Sequence, residues 1–317
     1  MAKKRERKLT ITQQIMQTAI EKLAKYQNDV TRKTYTRQFK SYVKFCREHF
    51  AARTFDACKE YIQAYSNYLQ SENYTASTIH TYLASICVVF DVNLATISKP
   101  TRHVADYVRG RNIKNIDSKN DLENPQWCYI VEFQRKVGIR RDELKRLKGA
   151  DFGADESGYP CVIVRRGKGG KCQYQRILEK DIEFVKSYFN GVAENEYIFD
   201  RKCFKNDLNF HVLRAFAAKS YYWEQLKRIK ENSEYAEQLE KEIRLRWEKM
   251  NLNRKGQSKK FKDVEIKGIY TLRGKNRNLA IEKGFPICYD KLALLATSIF
   301  KLSHWRNDVT VASYMLA

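Results

Sequence analysis

The stretch Val137-Gly-Ile-Arg140-Arg-Asp-Glu143-Leu-Lys-Arg-Leu-Lys-Gly-Ala-Asp-Phe152 marks a change from helical to extended patterning along the chain. On its N-terminal side, Asn124 can cap a helix and Pro125 suits its first position, while Trp127, Ile130, Val131 and Phe133 supply an apolar stripe. Gly138 is a good stop for that helix, because glycine enters the left-handed conformation of a C-terminal cap without penalty. Asp142 then offers to cap a second helix, whose Leu144 and Leu147 stand three apart on one face. Downstream the period changes. Cys161-Val-Ile-Val164 is β-branched, Arg165 to Lys171 is rich in Gly and Lys, and Tyr174 to Leu178 resumes an extended pattern. This predicts a hairpin with a basic tip.

Working outward, residues 10 to 100 read as helical. Tyr35, Phe39, Tyr42, Val43, Phe45 and Cys46 recur at helical spacing, and Arg32, Lys33, Arg37, Lys40, Lys44 and Arg47 fill the opposite face. Helical patterns follow at 54–71 and 75–92, the second opening on the capping sequence Thr75-Ala-Ser-Thr78. Four short helices predict a bundle over residues 1–110. The polar stretch 111–120 reads as a linker. A second domain spans 121–317 and carries a charged helical run from His211 to Met250, with Leu239, Ile243, Trp247 and Met250 in a stripe. A polar, lysine-rich segment follows at 251–268, and then an apolar run from Tyr289 to Leu302 that predicts a buried helix. The fold class is mostly α with a small antiparallel β-sheet, that is, α+β.

Composition narrows the partner. The 317 residues include 60 Lys and Arg against 37 Asp and Glu, a net charge of +23. Charge of one sign on that scale repels itself unless a polyanion lies nearby, and nucleic acid is the commonest polyanion. No stretch approaches the roughly 20 apolar residues of a membrane span, and the charged N-terminus lacks the apolar core of a signal peptide. The eight cysteines stand singly without a CxxC pair, which argues against a zinc site and for reduced thiols in a cytoplasm. Gly167-Lys-Gly-Gly-Lys171 is not a phosphate loop, since Cys172 stands where a Ser or Thr is needed. No local signature supports a Cys/His protease.

Three segments do resemble one family. Gly138-Ile-Arg140 with Glu143 and Leu144 is similar to the first box of the tyrosine recombinases, the phage-integrase family. His211-Val-Leu-Arg214 resembles its His-x-x-Arg box, and Leu302-Ser-His304 through Tyr314 resembles its final box. The hairpin between the first two boxes matches the place of the family's lysine, which Lys168 fits, although Lys171 in the same turn could substitute. The basic N-terminal helices resemble the family's core-binding domain. The resemblance implies a site-specific DNA recombinase or integrase of a bacterial mobile element, with an N-terminal helical core-binding bundle and a C-terminal catalytic domain. It implies that Tyr314 attacks a DNA phosphate to form a 3′-phosphotyrosine intermediate. In that scheme Arg140 and Arg214 clamp the phosphate, His304 adds a donor, His211 assists the phenol proton, Lys168 protonates the 5′-hydroxyl, and Glu143 orients the catalytic groups.

The chemistry suits these residue types. Phosphoryl transfer is largely positioning plus stabilisation of negative oxygens, and arginine's planar fork pairs with phosphate bidentately while staying charged. A phenol has a reference pKa of about 10 and must lose its proton as it attacks, and histidine is poised to take it. Neither a metal nor another cofactor is called for, because the phosphotyrosine bond conserves the energy of the broken linkage. DNA contact is expected from Arg32, Lys33, Arg37, Lys40 and Lys44 on the N-terminal helix and from Lys171 on the hairpin. Taken singly, each of these residues has an ordinary structural reading, as most of the 20 tyrosines must be packing residues; taken together, two of only five histidines fall inside the motifs.

The pattern departs from the family at several points. Ser303 replaces the usual Gly before the motif His. The stretch from His211 to His304 is far longer than usual and holds an insert at about 228–290, expected to contact DNA or a neighbouring protomer. Within it Tyr270-Thr-Leu-Arg273 makes Arg273 a rival to Arg214, but without a His three residues earlier. The short tail after Tyr314 puts the family's helix-swapping mode of assembly in doubt, and the basic Lys3–Lys8 tail is expected to be at most a DNA-binding extension.

The expected partners are double-stranded recombination sites, three further protomers in a tetramer on synapsed DNA, and accessory DNA-bending or excision factors. Competing readings are a type IB topoisomerase-like relaxing enzyme and a non-catalytic DNA-binding regulator. If DNA is bound through roughly 6–10 phosphates, affinity for a labelled duplex should fall about 10³–10⁵-fold between roughly 50 and 200 mM salt, and a flat salt response would remove DNA from consideration.

Overall fold

The computed structural model describes residues 9–26, 28–102, 125–204, 208–251 and 265–316. The expected linker at 111–120, the Lys3–Lys8 tail, the Asn124 cap and most of the 251–268 segment lie outside these residues. The chain divides into two units, Met1–Tyr107 and Val108–Ala317. It is mostly α with a small antiparallel sheet, as the sequence predicts.

The first unit is built from helices α1 (Ile11–Leu23), α2 (Asp29–Phe50), α3 (Phe55–Lys59), α4 (Ile62–Ser71) and α5 (Ala76–Phe90). Helices α1, α2 and α5 each start where a side chain can satisfy the orphan N–H groups of a first turn. Thr10 and Gln13 form a capping box on α1, Asn28 accepts from Val30 and Thr31 on α2, and Thr75 accepts from Thr78 on α5. The helices are not uniformly short, since α2 alone runs 22 residues. Its Phe39, Tyr42, Val43 and Cys46 meet Ile79, Leu83, Ile86 and Phe90 of α5 in one apolar core. Both stripes follow the i, i+3/i+4, i+7 rule, and burial of each such side chain contributes roughly 1.5–3 kcal/mol.

The second unit opens with α6 (Pro125–Val137) and the single turn α7 (Arg141–Leu144). Three antiparallel strands follow: β1 (Phe152–Ala154), β2 (Pro160–Val164) and β3 (Gln173–Arg176), with Val162 opposite both Phe152 and Gln175. The predicted basic hairpin is β2–β3, and β1 adds an edge strand too short to show alternation. After α8 (Ile182–Ser187) comes α9 (Phe210–Glu231), then α10 (Ser233–Asn251), so the single helical run expected from His211 is broken at Asn232. A second pair, β4 (Ile269–Thr271) with β5 (Cys288–Asp290), brackets α11 (Gly274–Glu282). Tyr289 therefore belongs to a strand, not to the predicted apolar helix, which begins at Lys291 as α12 (Lys291–Ala296). Asp290 explains that boundary, because its carboxylate caps the Ala293 N–H.

Two segments leave α geometry. Helix α12 continues as a π turn over Thr297–Lys301, and α13 (Asn307–Thr310) continues as a π turn over Val311–Met315. Hydroxyl side chains inside the first run turn back onto the backbone: Thr297 bonds the Ala293 carbonyl and Ser298 that of Leu294, both at 2.8 Å. Ser298 also meets the Thr310 hydroxyl at 2.6 Å and thus ties the two π-containing segments together. Lys301 is buried and donates to the carbonyls of Lys136 and Arg176, at 2.5 and 2.9 Å. Burial pushes its amine down to about 7.

Gly138 is the joint between α6 and the strand-like Ile139-Arg140. Its φ is +70°, and a Cβ there would come within 2.6 Å of the Ala217 Cβ on α9. Left-handed backbone and close helix approach coincide at this residue, so nothing larger fits without strain. Gly138→Ala should lower unfolding free energy by roughly 2 kcal/mol, read from the urea midpoint; an unchanged midpoint would show that α9 yields freely at this contact.

Candidate active site

The first basic group is set by the turn after Gly138. Arg140 occupies the N-cap position of α7 in extended conformation, and Glu143 rather than the expected Asp142 closes the cap. The Arg140 N–H donates to Glu143 Oε2 at 2.9 Å, while Asp142 is exposed. The same buried carboxylate accepts from the Arg140 guanidinium at 2.7 Å and from the Lys168 backbone N–H at 3.2 Å. Glu143 is 3% exposed, so a carboxylate here must be paired, and its three donors all come from residues at the site. Through it, the hairpin tip and Arg140 hold a fixed relation.

The second group enters from the start of α9. Asn209 caps that helix by accepting from His211 and Val212, which places His211 and Arg214 three residues apart on one face of the first turn. Arg214 is 1% exposed. Its guanidinium donates to the carbonyls of Gly138 and Leu302, at 2.7 and 2.9 Å, and its Nε is left without a partner. Burial lowers its pKa, and the Tyr314 phenol works in the opposite direction. Arg273, the rival, is exposed at the N-terminus of α11 and does not line the cleft described below.

His304 follows Leu302 through a turn in which Ser303 adopts φ +55°. Left-handed backbone favours glycine, yet here a serine occupies it, and its hydroxyl accepts from the Gln175 amide of β3. His304 Nδ1 accepts from the Arg306 N–H at 3.3 Å, so in the neutral ring the proton resides on Nε2. That Nε2 is buried and has no partner. Burial first, then the Arg214 and Arg140 charges, push the His304 pKa down to about 4. The ring is thus a neutral donor at physiological pH.

Tyr314 lies in the second π turn and is 7% exposed. π turns recur at functional sites because they re-aim side chains by a fraction of a turn. The His211 and His304 rings stand 5.0 and 6.3 Å from the Tyr314 ring, and the Arg214 guanidinium carbon 5.8 Å. His211 Nε2 meets the Ser313 carbonyl at 3.1 Å, which requires the proton on Nε2 and fixes the ring against the residue before Tyr314.

One cleft of ≈ 1200 Å³ brings these residues together: Arg140, Lys168, Lys171, His211, Arg214, His304 and Tyr314 all line it. Gly167 allows the hairpin tip to fold in, because a Cβ there would overlap the Gln173 amide. Lys168 and Lys171 are both exposed on that tip. Sequence reasoning did not assign roles to Gln173, whose amide oxygen accepts from Arg140 at 3.4 Å, nor to Gln175, Arg246, Trp247, Lys249, Trp305 and Arg306 around the cleft. Only Arg306 carried a usable signal, as a cation two residues beyond the motif His.

In the first unit, Lys33, Arg37, Lys40 and Lys44 follow one stripe of α2, which Arg47 continues. Arg37, Lys40, Lys44 and Arg47 line a groove with Thr12 of ≈ 560 Å³. Arg32 falls off that stripe and pairs with Asp29.

Neither the family models nor the curated proteins give a match to this chain. Among solved structures the chain is similar to XerA recombinase, at 18% identity over 65% of this chain and 83% of that one, with a TM-score of 0.23. That overlap is too loose to define a shared fold.

The His304 environment has a pH signature. Its folded pKa of about 4 lies below the reference of about 6.5, so between those values the unfolded chain binds more protons and stability falls as pH falls. From about pH 7 to about pH 5 the protein should lose roughly 2 kcal/mol that a His304→Gln variant keeps, measured by urea unfolding at both pH values. Parallel losses in the two proteins would place His304 in water.

Proposed function

We propose that this chain is a DNA strand transferase of the tyrosine-recombinase type, with Tyr314 as the nucleophile. The observation that carries the reading is the pair of buried, unpartnered donors beside Tyr314, Arg214 Nε and His304 Nε2. A buried donor without a partner costs about 1–3 kcal/mol, and a phosphate oxygen in the cleft would satisfy both. Arg140 adds a third donor, held by Glu143 and directed to the same cleft.

With a phosphodiester in place, the Tyr314 oxygen attacks phosphorus as the bond to the 5′-oxygen breaks, and the 3′-phosphate remains on the tyrosine. Arg140, Arg214 and the neutral His304 Nε2–H bear on the non-bridging oxygens, where charge accumulates. His211 accepts the phenol proton as attack proceeds, and Lys168, or Lys171 on the same tip, donates one to the departing 5′-hydroxyl. Rejoining is the reverse with a different 5′-hydroxyl. The cationic stripe Lys33–Arg37–Lys40–Lys44 supplies phosphate contacts that set affinity without reading sequence. Site-specific recombination by a tetramer on two synapsed duplexes, with accessory DNA-bending factors, belongs to this same reading.

Covalent trapping tests it. A nicked duplex from the ends of the encoding element lets the cleaved fragment diffuse away. Wild-type protein should yield an adduct on a denaturing gel, and Tyr314→Phe should yield none while binding the duplex within about 2-fold. Arg140→Lys should slow adduct formation roughly 10²-fold or more, because an ammonium cannot reproduce the planar fork. Tight binding by both proteins with no adduct would overturn the enzyme and favour a DNA-binding regulator.

A further inference from the structure

Helix α10 belongs to the long insert between His211 and His304, and its two ends of contact differ in kind. Leu239 and Ile243 are buried in a core with Tyr221, Leu292 and Ile299. On the neighbouring face, Glu242 and Arg246, one turn apart, lock onto the sheet. Arg246 reaches Asp155 at 2.5 Å and Glu242 at 3.1 Å, and Arg176 of β3 joins both carboxylates. The Arg176 guanidinium is stacked between the Tyr159 and Phe300 rings, 3.8 Å from each. Burial works to raise the Asp155 pKa, but Arg176 and Arg246 outweigh it and hold the carboxyl below its usual range. These contacts dock the helix on the sheet.

Beyond them α10 continues for another turn, beside Trp305 at the edge of the same core. Trp247 meets Trp305 edge-to-face, ring centres 5.1 Å apart and planes at 72°, and both indoles line the cleft with Lys249 and Arg306. Neither indole is buried. Lys249 pairs with Glu156 at 2.9 Å, but both side chains are over 60% exposed, so the pair is weak and exchangeable. Trp305 directly follows His304, which ties this wall to the reacting centre. Half-exposed aromatic surface beside cations is what a nucleic-acid strand offers partners for: phosphates for the ammonium, flat sugar and base surface for the indoles. A small anion would use only the charge.

We propose that the last turn of α10 is a strand-contact wall of the cleft, in which Trp247 and Trp305 pack against the DNA next to the cleaved phosphate and Lys249 leaves Glu156 for a phosphate. This rests on the DNA reading of the Tyr314 cleft, and extends it to an insert that the family motifs do not cover.

The chain has four tryptophans. Replacing Trp127 and Trp223 with Phe leaves Trp247 and Trp305 as the fluorescent indoles. Titrated with the nicked duplex, that protein should show indole quenching that saturates together with DNA binding measured by anisotropy. Trp247→Ala in the full chain should weaken binding about 10-fold, and Trp247→Phe should restore most of it. If Trp247→Ala unfolds, the quenching on the folded two-tryptophan protein decides. Binding and Tyr314 adduct formation with unchanged indole fluorescence would overturn this proposal and leave the strand-transferase reading intact. Absence of any binding or adduct would overturn both.

Discussion

A fully buried guanidinium organises the second unit. Arg214 reaches from the first turn of α9 to two carbonyls, one at Gly138 and one at Leu302, and so joins the residue that precedes Ile139-Arg140 to the residue that precedes Ser303-His304. Removing a cation from water is costly, and two neutral carbonyls compensate it incompletely. The remaining Nε faces the same region as the Tyr314 phenol and the unpartnered His304 Nε2. Folding therefore gathers Arg214 and Arg140 at one place, with Glu143 as the buried carboxylate beside them. An anion entering the cleft meets donors already desolvated and aimed, with little reorganisation left to do.

The surrounding charges are treated differently, and the difference is informative. Arg176 and Arg246 are also sequestered, but each finds carboxylates and aromatic faces, so their charge serves to dock α10 on the sheet. Lys301 donates to two carbonyls, and burial depresses its pKa despite Asp181 nearby, since a neutral amine keeps two donors for two acceptors. Structural cations in this unit are thus either paired or inclined to neutrality. Burial lowers the Arg214 pKa as well, but a guanidinium holds its proton far more firmly than an amine.

Two devices keep the cleft in register. Glu143 joins Arg140 to the hairpin tip through one buried carboxylate, and the Ser298–Thr310 hydroxyl contact joins the segment bearing His304 to the one bearing Tyr314. The π turns at Thr297–Lys301 and Val311–Met315 each displace the residues that follow by part of a turn from where an α-helix would put them. In the first unit, the stripe of Arg37, Lys40, Lys44 and Arg47 on α2 is exposed, with Lys44 paired to Glu48 and Arg47 bonded to Thr12.

By itself the sequence determined the elements with strong periodicity and the chemical types available. The stripes of α2 and α5, the basic hairpin and the stop at Gly138 are local in origin, set by spacing, capping and backbone freedom. The order of Arg140, Lys168, His211, Arg214, His304 and Tyr314 was likewise visible, as was the excess of cations. Short strands such as β1, β4 and β5 were not, because three residues carry no alternation, and the break at Asn232 and the strand at Tyr289 depend on neighbours far along the chain. The His-x-x-Arg spacing already favoured Arg214 over Arg273, whereas tertiary structure alone decided that Glu143 rather than Asp142 caps α7 and that His304 is held neutral with its proton on Nε2. The hydrogen bonds that close the α7 cap and set the His304 tautomer are local. The burial of both groups, the Lys168 N–H on Glu143 and the Arg214 and Arg140 charges on His304 come from segments that meet only when the unit is folded.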